Sequence, residues 1–134
     1  MGKVKLSLLI GTGSGVGGAS RLILSLLWPS GALAYLWATF AVNLLGCFLI
    51  GILGARWSGH PGPPFPSRQA FWITGFCGGF TTVSLFSRQS LALVENGQTG
   101  IFALYLLGHL LLCPLMVLLG ERTQSNRRMG KREI

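Results

Sequence analysis

Acidic residues are almost absent from this sequence. Its 134 residues include three carboxylates, Glu95, Glu121 and Glu133, and charged residues make up 10% of the chain. A soluble domain usually carries about a quarter charged residues, so this chain has too little polar surface to cover itself in water. No carboxylate lies inside an apolar run. This argues against a proton-coupled exporter, because such a transporter generally needs a membrane-embedded group that gains and loses a proton.

Residues typical of metal or nucleic-acid binding are also scarce or badly placed. Cys47, Cys77 and Cys113 each lie inside an apolar run without C-x-x-C spacing. We therefore interpret them as packing residues, with neither a disulfide nor a metal site. The net charge of +8 comes mostly from Arg122 to Arg132 and from the ends of apolar runs. Membrane proteins place charge in this way, so we expect lipid rather than nucleic acid as a partner.

Glycine, in contrast, is abundant, with 20 residues. Gly13-x-Gly15-x-x-Gly18 matches the dinucleotide fingerprint, but the acid about 20 residues further on that would hold the ribose is missing. Small residues let membrane helices approach closely. We therefore predict helix packing through Gly11-x-x-x-Gly15 and Gly13-x-x-x-Gly17.

Half of the chain is hydrophobic and its mean hydropathy is +0.57. Four apolar stretches are long enough to cross about 30 Å of hydrocarbon, which needs roughly 20 helical residues. We predict an all-α integral membrane four-helix bundle. Its single transmembrane domain covers residues 1–121, with helices at about 6–28, 33–53, 71–93 and 101–119, and a basic cytoplasmic tail follows at 122–134. Glycine, proline and polar residues separate the helices, notably in the proline-rich loop at 58–67.

The distribution of lysine and arginine predicts orientation. With four crossings, Lys3, Lys5, Arg56, Arg68 and the basic tail fall on one side, and the turns near residues 30 and 96 on the other carry no Lys or Arg. The positive-inside rule then places both termini in the cytoplasm of a multi-pass protein in the inner (plasma) membrane.

The third apolar stretch carries the strongest sign of function. From Gly75 to Ser87 it contains three glycines followed by two threonines, which weaken a helix near mid-membrane. A broken helix frees backbone groups, which form a cation site through carbonyls or an anion site through amides and hydroxyls. In the second helix, we interpret Asn43 either as a residue that forms an interhelical hydrogen bond or as a hydrogen-bond donor that faces a pore. The other polar residues in the apolar segments are neutral or positive, which suits an anion.

Three motifs in order resemble the Fluc/CrcB fluoride channels: Ala19-Ser20-Arg21, Val42 to Gly46, and Gly75 to Thr82. The resemblance implies a fluoride-selective channel subunit, not an enzyme, in an antiparallel dual-topology dimer with two pores. Such channels let fluoride leave the cytoplasm passively and so lower its concentration there.

The resemblance also implies roles for individual residues. Asn43 lies along the pore, Phe86 presents its ring edge to fluoride, Ser84 adds a hydroxyl, and Tyr105 and His109, followed by Cys113, form a polar track. Main-chain carbonyls of Gly78 and Thr81 hold a sodium ion at the dimer centre. The full set expected along the fluoride path is Arg21, Asn43, Thr82, Val83, Ser84, Phe86, Tyr105 and His109.

Two departures from the family pattern leave alternatives open. Val83 replaces the first phenylalanine of Thr-Thr-Phe-Ser-x-Phe, and His109 and Cys113 replace small hydroxyl residues. The strong charge bias also does not suit a chain that inserts both ways. We therefore consider a homodimer and a heterodimer with an oppositely oriented paralogue, and also a non-conducting structural or assembly protein built on the same scaffold.

Overall fold

The computed structural model describes residues 2–28, 31, 33–57 and 67–129, and within them the chain is helical without a strand. The all-α prediction is confirmed. We number the helices in chain order: α1 Lys3–Leu26, α2 Ala34–Trp57, α3 with a turn Ser67–Gln69, a π-helix Ala70–Cys77 and a turn Gly78–Phe80, α4 Val83–Glu95, and α5 Thr99–Met129.

Three spans in the described chain are long and apolar enough to cross a membrane: Ala34–Trp57, Ser67–Glu95 and Thr99–Ser125. The second of these spans combines α3 and α4. α1 is as long as α2, but its glycines, hydroxyl residues and Arg21 make it less apolar. The protein is therefore a multi-pass helical membrane protein.

Glycines bring α1 and α3 into backbone contact. A Cβ atom at Gly13 would overlap the Phe71 carbonyl, and one at Gly17 would overlap the Phe76 carbonyl. The predicted packing through Gly13 and Gly17 is confirmed, and both lie inside a helix rather than after the strand that a dinucleotide site requires. Gly11 and Gly15 have open space beside them, so the packing predicted for that pair is not found within the chain.

The other close pair is α2 with α5. Gly51 lies against the Val117 carbonyl, and Gly120 against the Phe48 carbonyl. A small core forms near one end of this pair from Leu36, Leu93 and Tyr105, with Leu33, Phe40, Phe86, Ile101 and Phe102 around it. Many large apolar side chains elsewhere are exposed, especially along α5, as a lipid-facing or subunit-facing surface requires.

α5 continues past the predicted end near residue 119 and is helical as far as Met129, the last residue that the structure describes. The residues after Gly120 are mostly good helix formers without glycine or proline until Gly130, so no local signal stops the helix. The connectors predicted at 29–30 and 58–66, and the end of the basic tail at 130–134, lie outside the described residues.

Candidate functional site

Two extended residues interrupt the third apolar span at its centre. Thr81 (φ −76°, ψ 157°) and Thr82 (φ −148°, ψ 114°) separate α3 from α4. The predicted break in the third helix is therefore confirmed. The Thr82 hydroxyl caps α4 by accepting a hydrogen bond from the Leu85 N–H at 3.2 Å, which satisfies one of the free donors at the helix start.

The Asn43 side chain on α2 holds this break in place. Its Oδ1 accepts from the Thr82 N–H at 2.8 Å, and its Nδ2 donates to the Thr82 carbonyl at 3.2 Å. The amide thus satisfies both backbone hydrogen-bonding groups of Thr82. Both residues are buried, where an unpaired backbone group would cost about 1–3 kcal/mol. Asn43 therefore stabilises the break, and its position along a pore stays a prediction.

His109 on α5 completes the arrangement. Its Nδ1 lies 2.9 Å from the Tyr105 carbonyl. Because a carbonyl only accepts, Nδ1 carries the proton. Nε2 then presents a lone pair, and Asn43 Nδ2 donates to it at 3.3 Å. The imidazole is therefore neutral in this arrangement, and both hydrogens of the Asn43 amide are in use.

A second polar group lies further along the same helices. The Tyr105 hydroxyl donates to Gln89 Oε1 at 2.7 Å. Gln89 Nε2 donates to the Thr39 hydroxyl at 2.9 Å and to the Tyr35 carbonyl at 3.2 Å. Sequence reasoning missed Gln89 and Thr39. The signal was present, since Gln89 is an amide inside an apolar span and Thr39 lies one helical turn before Asn43.

A cavity of about 310 Å³ adjoins this second group. Thr39 and Gln89 line it together with Ser25 of α1 and Trp28, which follows α1. Arg21, one turn before Ser25, is half-buried, and its Nε has no hydrogen-bond partner among the described residues. The structure does not join Arg21 to the other predicted site residues by a hydrogen bond.

Aromatic rings pack against the imidazole on both sides. The Phe86 ring lies 4.5 Å from the His109 ring and 5.3 Å from the Tyr105 ring, measured between centroids. The Phe40 ring meets His109 edge to face at 4.9 Å. Phe86, Tyr105 and His109 are thus brought together with Asn43 and Thr82, in a surrounding that combines hydrogen-bond donors with polarised ring edges.

The remaining predicted residues lie at the margin of this cluster. The Ser84 hydroxyl lies 3.1 Å from the Thr82 hydroxyl and is exposed. Val83 is 77% exposed, so it faces away from the rest of its own chain. Cys113 and Cys47 are free, half-buried cysteines that lie one turn beyond His109 on α5 and Asn43 on α2.

The break also removes the helical hydrogen-bond donors of the Gly78 and Thr81 carbonyls. In a continuous helix these carbonyls accept from the N–H groups of Thr82 and Leu85. Here the Thr82 N–H donates to Asn43 and the Leu85 N–H donates to the Thr82 hydroxyl. Both carbonyls therefore lose their helical donors, and Gly78 is exposed. Two such oxygens suit a hard cation, which binds through oxygen ligands.

The fold and the site define a multi-pass helical membrane protein with polar groups gathered at a broken span. This arrangement is typical of channels and transporters. A family model described as "CrcB-like protein, Camphor Resistance (CrcB)" matches residues 8–121. The chain belongs to the CrcB family.

Three curated relatives share the name "Fluoride-specific ion channel FluC". The relative from Cupriavidus pinatubonensis is 43% identical over 101 residues, which cover 75% of this chain and 79% of the relative. The relative from Chlorobium phaeobacteroides is 39% identical over 101 residues, covering 75% and 78%. The relative from Phocaeicola vulgatus is 39% identical over 119 residues, covering 87% of this chain and 96% of the relative.

Proposed function

We propose that this protein is a subunit of a fluoride-selective channel that lets fluoride leave the cytoplasm passively. The observation that carries the proposal is the broken third span held by Asn43, with Phe86, Tyr105 and His109 packed beside it. The names of the relatives support it independently. Passive conduction requires no covalent step, so the protein is a channel and not an enzyme.

The polar chemistry of the site favours an anion. α4 begins at the break, and the start of a helix carries partial positive charge and free N–H groups. Thr82 and Ser84 hydroxyls bond to each other, which leaves one hydroxyl hydrogen to donate elsewhere. Among the described residues, carboxylates occur only at Glu95 and Glu121, away from the break. Fluoride therefore meets donors and ring edges without nearby negative charge.

A dimer of antiparallel subunits, each crossing the membrane four times, completes the proposal. Gly11, Gly15, Gly78 and Val83 are exposed, so they are free to contact a second subunit. The Gly78 and Thr81 carbonyls would hold the sodium ion at the dimer centre, where its charge would help to join the subunits. We place both termini on the cytoplasmic side of the inner membrane.

Fluoride efflux from liposomes containing the purified protein tests the proposal, with a fluoride electrode as detector and chloride as control. We expect rapid fluoride-selective efflux. Val83→Phe restores a ring at an exposed position and should raise the rate. The wild type alone could release no fluoride, while Val83→Phe or a mixture with a paralogue does release it. This result would mean that the chain works as one half of a heterodimer.

A non-conducting structural or assembly protein is the second candidate, and exposed Val83 favours it. Valine lacks the polarised ring edge that phenylalanine presents to an anion. If wild type, Val83→Phe and a mixture with a paralogue all fail to release fluoride, the channel proposal is wrong and this second function stands.

A further inference from the structure

His109 and Asn43 form the one hydrogen bond at the break whose direction depends on a titratable group. Asn43 Nδ2 donates to His109 Nε2 at 3.3 Å, while Nδ1 is committed to the Tyr105 carbonyl at 2.9 Å. Neutral imidazole thus consumes the second hydrogen of the amide. In this state the pair offers no donor to an ion.

Protonation of His109 reverses this situation. Nδ1–H stays on the Tyr105 carbonyl, so the new proton goes to Nε2, which becomes a donor. Two N–H groups, on Asn43 and His109, then face each other and repel. An acceptor between them relieves the repulsion, and a charged donor binds an anion more strongly than a neutral donor does.

We propose that Asn43 and His109 form a proton-dependent anion site, in which both donors converge on one small anion such as fluoride. The other hydrogen of the Asn43 amide stays on the Thr82 carbonyl, so the break remains in place. The inference rests on the proposed function for the identity of the anion.

Ionisable groups around His109 are few. The helices packed on it carry Tyr35, Cys47 and Arg56 on α2, Arg88 and Glu95 on α4, and Tyr105, Cys113, Glu121 and Arg122 on α5. Tyr105 is in ring contact at 4.5 Å. Among the described residues, the imidazole contacts the Asn43 amide, the Tyr105 carbonyl and the rings of Phe40, Phe86 and Tyr105, none of which carries a charge. A pH response from this site therefore belongs to His109 itself.

Fluoride current across a planar lipid bilayer is the direct test, because current counts fluoride ions and not neutral hydrogen fluoride. At fluoride well below saturation, we expect wild-type current to rise about fivefold between pH about 7.5 and about 5.5, as a neutral site gains a charged donor. His109→Gln keeps a donor and an acceptor but does not titrate, so whatever current it carries should not rise between these two pH values. Wild-type current that is present but independent of pH would overturn the inference.

Ring-nitrogen NMR of wild-type protein in lipid gives a second readout that needs no folded His109 variant. Binding and protonation are reciprocally linked, so fluoride should raise the pH at which His109 takes up its proton, whereas chloride should not. His60→Gln removes the other histidine signal. If fluoride does not change the pH at which His109 takes up its proton, the proposed site is wrong. Absence of current at both pH values argues instead against the channel itself, and the NMR result then decides the site alone.

Discussion

At the scale of single residues, the side-chain amide of Asn43 supplies the hydrogen-bond partners that a continuous helix would give to the backbone of Thr82. Asn43 bonds to both backbone groups of Thr82, and the two residues are 39 positions apart in the chain. A leucine at position 43 has a similar volume but no hydrogen-bonding group. The Thr82 N–H and carbonyl would then be buried without their partner.

We therefore expect Asn43→Leu to lower the free energy of unfolding by about 2–4 kcal/mol, since each unpaired buried group costs about 1–3 kcal/mol. Thermal or denaturant unfolding in detergent measures this change in the free energy of unfolding. Thr12→Val is the control, because the exposed Thr12 hydroxyl bonds only to the Leu8 carbonyl of its own helix at 2.8 Å and to the neighbouring Leu9 carbonyl. Equal stability of the two variants would show that Asn43 does not hold the break.

The residue types of the site were readable from sequence, but their partners were not. A polar amide in an apolar span and two threonines after glycines indicate a special position. Which groups they bond to depends on how α2, α4 and α5 are placed, and that information is not local. Gln89 could have been noticed as an amide in an apolar span, but its partners Tyr35, Thr39 and Tyr105 come from two other helices and could not be predicted.

At the scale of helices, the structure depends on glycines at particular positions rather than on glycine content. Gly13 and Gly17 contact the backbone of α3, while Gly11 and Gly15 on the same helix do not contact it. The spacing of four predicted packing through both pairs. It could not distinguish the pair that packs from the pair that does not, because the two pairs have the same spacing and differ only in the face of α1 that they occupy.

We expect Gly17→Ala to destabilise the protein by about 1–3 kcal/mol, as overpacking does, because its Cβ would overlap the Phe76 carbonyl and separate α1 from α3. Gly11→Ala has room for the methyl group, and its stability should be unchanged or higher, given alanine's better helix propensity. Unfolding temperatures of the two variants decide this. A similar loss in both would mean that the α1–α3 contact does not limit stability.

At the scale of the whole molecule, the distribution of charge remains unusual for a chain that would insert both ways. Four basic residues lie at helix ends and Arg122 lies in the C-terminal part of α5, all on the side that the predicted topology makes cytoplasmic; the four are Lys3, Lys5, Arg56 and Arg68. The all-α class follows from composition and hydropathy, whereas three of the four predicted spans are found as long apolar helices and α5 runs past its predicted end. Orientation and pairing depend on the membrane and on a second subunit, which the contacts within one chain do not determine.

We expect one dominant orientation in cells, with both termini cytoplasmic, because positive charge resists translocation. Fusion of the C-terminus to green fluorescent protein, which fluoresces in the cytoplasm, and to alkaline phosphatase, which is active outside it, reports the orientation. Strong fluorescence with weak phosphatase activity supports a heterodimer. Equal signals from the two fusions would contradict the one-way insertion and favour a homodimer.

The length of α5 has a practical consequence for imaging. At about 1.5 Å per residue its 31 residues extend about 46 Å, against about 30 Å of hydrocarbon. The chain itself, at 14.4 kDa, presents little mass outside the lipid for particle alignment. A helical soluble domain fused in register to the end of α5 would inherit the direction of that helix and act as a rigid fiducial, provided that no flexible residues separate the two.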